Sequence, residues 1–385
     1  MFAELKGKEL YRTIGFKEIA MIYGDTDQSY RKTAKLINRT RYQKKGGTPY
    51  RTLQENTEKE GSKLISYLEA KTKRLLKDNG FTGDGTCLKS NDNYNDETQT
   101  FPEEIITEAQ ARCLPSDISD EVRNNPVGYE DPEHTVNISV DDVLVKKQKI
   151  SRKKVDDSEK RKRKYVHNTV AHISKEDRSY ALNGYGIKKV LCFVMAFIFN
   201  NNLIGNRLQF FTDGHTDLNK AILKCFKWLK NIGIILDWYH LVKKCKEQLS
   251  MAMKGRVLRN KVLEKLLPLL WHGLTDKGIT LLEGIDETQI KNKAAMEKLV
   301  EYFHRNKPYI PCYAIRKQLG LRNSSNIGEK MNDLIVSERQ KHNGMSWSKE
   351  GSVALASVTA LKRNNEAGKW FEEEKLEFKL VANSS

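Results

Sequence analysis

The stretch Gln209–Ile222, QFFTDGHTDLNKAI, decides how this chain is read. A short β-like run ends on Asp213 and Gly214, which also supply turn chemistry, and a helical pattern begins at Thr216. On that helix Leu218, Ile222, Cys225, Phe226 and Leu229 form one apolar stripe. An acid at the C-terminal lip of a buried strand is either an ordinary strand-ending turn or the edge of a site. Asp213 alone leaves both open.

Working outward, RLQFFTD and IGIILD read as strands. So do TVNISVDDVLV (Thr135–Val145), KYVHNTVAHIS (Lys164–Ser174) and a shorter run near Tyr180. GIKKVLCFVMAFIF reads as a largely buried helix. The resulting order β, β, β, α, β, α, β, α predicts an α/β fold, a mixed sheet with helices on its faces. From His240 to about His304 the pattern is almost wholly helical, with Pro268 expected to break or kink a helix. Helical spacing resumes at NIGEKMNDLIVSERQK.

Composition narrows the partners. The 385 residues carry a net charge of +17 and a pI near 9.4, which suits a polyanion such as a nucleic acid. No run approaches the roughly 20 apolar residues of a membrane span. The N-terminus lacks the pattern of a signal peptide. Six scattered cysteines, without C-x-x-C spacing, point to a reducing intracellular compartment rather than a zinc or redox site.

The charge is uneven. Asp92 to Glu133 holds twelve acids against two arginines, together with four of the eight prolines, and reads as a polar linker with a short helix around PEEIITEAQARCL. Before it, Tyr30, Ala34 and Ile37 are helically spaced, a turn with Gly46 and Gly47 follows, and Thr48–Pro49 opens a second helix. Two short helices bearing Arg39, Arg41, Lys44, Lys45 and Arg51 fit a DNA-binding helix-turn-helix; a plain helical hairpin with a solvated basic face fits equally. The run Lys146–Lys164, with eleven basic and three acidic residues, would flank phosphates or form a solvated loop.

Three acids stand where an α/β sheet usually builds its site: Asp141 in the first strand, Asp213 ending the fourth, and Glu329 at a helix start. Such a trio can hold two Mg²⁺ ions for phosphodiester chemistry. Each also has a plainer explanation, Glu329 as part of a capping box with Asn326. Alternation does not decide between Asp141 and Asp142. Asp237 is expected as an N-cap with His240 exposed. Glu338 is expected to border the packed face with Ile327, Met331, Leu334 and Ile335, with Arg339 able to reach phosphate, and Glu350 to be a solvated charge.

The segments SYRKTAKLINRTRYQKKGGTP, VNISVDDVLVKKQK, FFTDGHTDLNKAI, IILDWYHLVKKC and NIGEKMNDLIVSERQKHNGMSWSKEGSVALASVTALK occur in that order. Together they resemble the ISLre-type DDE transposases of bacterial insertion sequences. The resemblance implies a ribonuclease-H-like core with a large all-helical insertion, preceded by a small helical domain. It implies Asp141, Asp213 and Glu329 as catalytic metal ligands, with Asp142, Asp237 and His240 in support, Asp237 and His240 through the LDWYH element. It further implies two Mg²⁺, with Mn²⁺ able to substitute, and double-stranded DNA as partner, both terminal inverted repeats and target. A homo-oligomer in the DNA complex and a cytoplasmic, nucleoid-associated location in a bacterium follow from the same likeness. Members of that family commonly carry more chain before the SYRKTA helix, so a shortened copy is an open expectation.

The expected division is residues 1–90 as the helix-turn-helix-like region and 91–133 as linker. Residues 134–240 and 320–365 form the catalytic core, 241–319 the helical insertion, and 366–385 a charged tail.

Overall fold

The computed structural model describes residues 29–42, 47–88, 101–118, 132–148, 165–230, 232–341 and 345–382, with a few single positions besides. The chain forms two compact units. One comprises Met1–Ser90, Val140–Leu203 and Ile327–Ser385; the other comprises Asn91–Ser139 and Ile204–Asn326. Strands β1 (Thr135–Lys146), β2 (Tyr165–Lys175), β3 (Arg178–Gly184), β4 (Arg207–Thr212), β5 (Ile232–Leu236) and β6 (Val381–Ala382) make a mixed sheet in the order β5-β4-β1-β2-β3-β6. The sheet mixes parallel and antiparallel pairs and is accompanied by many helices.

In the unit containing β4 and β5, the first half of β1 pairs in parallel with β4, ending at Ser139↔Phe211, and β4 pairs in parallel with β5. Phe210, Ile235 and Leu236 are fully or almost fully buried, as expected of parallel strands covered on both faces. Helix α5 (Thr216–Cys225) is shorter than its apolar stripe, since Phe226 caps it and Leu229 packs from the following turn. After β5 come α6 (Trp238–Ala252), α7 (Arg256–Trp271), α8 (Thr275–Glu283), α9 (Lys293–Asn306) and α10 (Tyr313–Gln318). Leu241, Leu249, Leu266, Leu270, Leu299 and Phe303 join Phe211 and Leu236 in their common core.

Pro268 does not break α7. It sits in the last turn, where only one backbone bond is forgone, and His272 N–H closes on its carbonyl at 3.2 Å. The acidic segment does more than link. Helix α3 (Glu103–Cys113) packs against α10, and Ala109, Val122 and Tyr129 share a core with Cys312, Ile315 and Leu319.

In the other unit, β2, β3 and β6 pair antiparallel, and α4 (Ile187–Asn200) is buried from Val190 to Ile198. The N-terminal helices α1 (Tyr30–Thr40) and α2 (Tyr50–Asp78) do not form a separate small domain. Tyr30, Ala34, Ile37 and Leu53 lie in one core with Val143, Val145, Val170, Ala181 and Trp347. The second helix is not short either: α2 runs for 29 residues. It meets α12 (Lys349–Arg363) at Gly61, where a Cβ would lie 2.3 Å from the Ala354 carbonyl oxygen.

The C-terminal segment is no free charged tail. Helix α13 (Ala367–Glu373) buries Trp370 and Phe371, Phe378 is wholly buried, and β6 adds to β3. Four apolar side chains, Leu376 among them, override the charged residues between them. Among the described residues, no helix is long and apolar enough to cross a membrane.

Candidate active site

The two acids of β1 part company because successive strand side chains face opposite sides. Asp142 Oδ1 accepts from Thr169 Oγ1, and its Oδ2 lies 3.5 Å from His167 Nδ1, both on β2. Asp141 faces away from that pair. Its Oδ1 accepts from the Asp142 N–H at 2.8 Å and its Oδ2 from Asn332 Nδ2 at 3.0 Å. Asn332 ends α11 (Asn326–Asn332), and Glu329, half-buried, lies three positions before it. Residues three apart share a helix face, so the face carrying Glu329 is the one joined to Asp141. Sequence reasoning missed Asn332, although its i+3 spacing from Glu329 was the available signal.

After α11 the backbone makes a π-helical turn, Asp333–Ser337, before one α turn, Glu338–Gln340. A π turn holds an additional residue and rotates everything after it by about one position. Glu338, expected at the packed border, is therefore exposed, and Arg339 takes the buried place. Arg339 is not free for phosphate: its guanidinium lies over the rings of Tyr30, at 4.9 Å, and Trp347, at 5.2 Å. Glu350, in the first turn of α12, is exposed as expected.

Asp213 lies in the other unit. It is exposed one residue beyond β4, and its Oδ1 accepts from the His215 N–H at 2.8 Å. Its carbonyl accepts from the Tyr302 hydroxyl of α9 at 3.0 Å. Gly214 has φ of +82° and no room for a Cβ, which would meet Tyr302 OH and Asn306 Oδ1 at 2.9 Å each. The helical insertion thus fixes the backbone on which Asp213 stands.

Asp237 caps α6 as expected, accepting from the Tyr239 N–H at 2.8 Å and the His240 N–H at 3.2 Å. It is almost wholly buried, and also accepts from Ser324 Oγ at 2.9 Å and Ser325 Oγ at 2.7 Å. Burial alone would raise its pKa; hydrogen bonds from His240 and from the Ser325 backbone and hydroxyl outweigh it and hold the carboxyl at about 2. His240 is half-buried rather than exposed, with Nδ1 3.6 Å from Asp237 Oδ1. It lines, with Asp213 and Tyr302, a cleft of about 530 Å³.

No family model matches the chain, and no curated protein does. Among solved structures there is similarity to the Drosophila P element transposase strand transfer complex, at 10% identity over 96% of this chain and 83% of that chain, with a TM-score of 0.27. A likeness of that degree decides neither fold nor function. Among the described residues, no group of three or more His, Cys, Asp or Glu side chains could hold a metal ion as they stand.

Of the basic residues expected on DNA, Arg39, Arg41 and Arg51 are exposed, while Lys44 and Lys45 fall outside the described residues. The turn between α1 and α2 is clamped by Asn38, whose side chain takes both the N–H and the carbonyl of Thr48, at 2.7 and 3.0 Å. Of the basic run Lys146–Lys164, residues 149–164 likewise lie outside them.

Proposed function

We propose that this chain is a DDE transposase of the ISLre type, built on a ribonuclease-H-like core, that cleaves DNA at the ends of its element and joins them to target DNA. The observation that carries this is a register. Asp141 follows Ser139 by two residues and Asp213 follows Phe211 by two, and Ser139 and Phe211 are the final pair in the parallel ladder of β1 and β4. Carboxyl ends of neighbouring parallel strands are where open α/β sheets build their sites.

The Asp141–Asn332 bond supports Asp141, rather than Asp142, as the first acid, and Glu329 as the third. Asp141, Asp213 and Glu329 would hold Mg²⁺, since carboxylate oxygens are the donors that hard cations take. Bound there, such ions would supply the positive charge that phosphodiester exchange needs at its attacking and leaving oxygens. Asp237 holds the start of α6 and so the place of His240, a supporting pair. Exposed Arg39, Arg41 and Arg51 would take duplex phosphates.

The test is an assay of the purified chain on a labelled duplex carrying the element's ends, with Mg²⁺ or Mn²⁺. Joined products support the proposal. Cleavage without joining would make it a nuclease, and binding alone a DNA-binding repressor derived from a transposase.

A further inference from the structure

The cleft beside Asp213 brings together opposite charges that do not pair. Asp213 and Asp217 stand on the β4–α5 side, Lys243, Lys244 and Glu247 on α6, and Arg305 on α9. Among the described residues, none of these six forms a salt bridge. In a basic chain, cations that face a cavity without a carboxylate bonded to them stay available to an anionic ligand.

The cations are not randomly placed. Lys244 Nζ lies 5.8 Å and Arg305 Cζ 5.9 Å from the ring centre of Tyr302, close enough for that ring to attract both. The same Tyr302 donates its hydroxyl to the Asp213 carbonyl. One side chain thus organises both the acidic lip and the basic wall.

We propose that this cleft, formed by the helices of the insertion, takes a backbone phosphate of the DNA strand, with Lys244 and Arg305 as its anion-binding groups and Tyr302 as the residue that positions Asp213 against it. The proposal rests on the DNA-processing function argued above.

Two measurements on the full chain test it. Binding to a labelled duplex is followed across salt concentrations for wild type, for Lys244→Gln/Arg305→Gln, and for a control that removes equal charge from exposed positions of α7, Lys261→Ala/Lys265→Ala. A lost phosphate contact lowers the salt slope by about 0.9, so the cleft variant, which gives up its one phosphate, should fall by about 0.9 and the control should match wild type. Tyr302→Phe keeps the ring and loses the hydroxyl; it should bind DNA like wild type and lower kcat for cleavage by roughly tenfold or more. Both cleft substitutions keep a polar end and part of the aliphatic stem at an open cavity, and circular dichroism verifies folding. A cleft variant with the wild-type slope, or a control that falls equally, overturns this inference while leaving the DNA function standing. A wild-type chain that binds no DNA overturns both.

Discussion

Asn332 and Asp141 are joined by one hydrogen bond of 3.0 Å, and through it the helix carrying Glu329 is tied to the first strand. An amide donor is the right partner there. It holds a carboxylate without neutralising it, as a lysine would, and without repelling it, as a second acid would.

Asn332→Ala is expected to cut DNA cleavage by an order of magnitude or more, with near-normal stability. Asn332→Asp should do worse, because two carboxylates would face each other. Glu329→Gln should fold normally and lose cleavage, whereas Glu350→Gln stays active. Cleavage rates and thermal unfolding of the four variants decide it. An active Glu329→Gln chain would remove Glu329 from the site.

Asp237 makes a prediction about pH. Its folded pKa, about 2, lies below the ordinary value of 3.8, so its stabilising contribution is present above about pH 4 and lost as pH falls toward 2. Asp237→Asn should cost about 1–3 kcal/mol at pH 6, because one acceptor becomes a donor facing the Ser325 N–H and hydroxyl. The melting gap between wild type and variant should shrink from pH 4 downward. A gap constant from pH 6 to pH 2 contradicts the assignment.

Gly61→Ala separates helix propensity from packing. In an isolated helix the substitution gains about 1 kcal/mol. Here the added methyl would meet the Ala354 carbonyl, backbone that cannot step aside without moving α12. Net destabilisation of about 1–3 kcal/mol is expected. Calorimetry showing a raised Tm would refute the close approach.

The π turn predicts a contrast between neighbours. Glu338→Gln, at an exposed position, should change stability by less than about 0.5 kcal/mol. Arg339→Ala, which strips a buried guanidinium from two aromatic rings, should cost several times more, about 3 kcal/mol. Equal effects at the two positions would mean the helix keeps its α register.

The sequence by itself determined the alternation of strands and helices, the helical insertion after β5, and Asp213 at a strand lip. Those features are written in local periodicity, period 2 for strands and 3.6 for helices, and in turn chemistry. Asp237 as an N-cap was legible for the same reason. Local periodicity says that Asp141 and Asp142 face opposite sides, but not that Thr169 and His167 wait on one side and Asn332 on the other. It passes through the one-residue insertion of a π turn without registering it, and so exchanges Glu338 for Arg339. Charge density likewise suggested a free tail and an independent N-terminal domain. Only the tertiary structure shows Trp370 and Phe378 buried and α1 and α2 built into the core, because burial depends on which surfaces meet, and those surfaces come from segments more than a hundred residues apart in the chain.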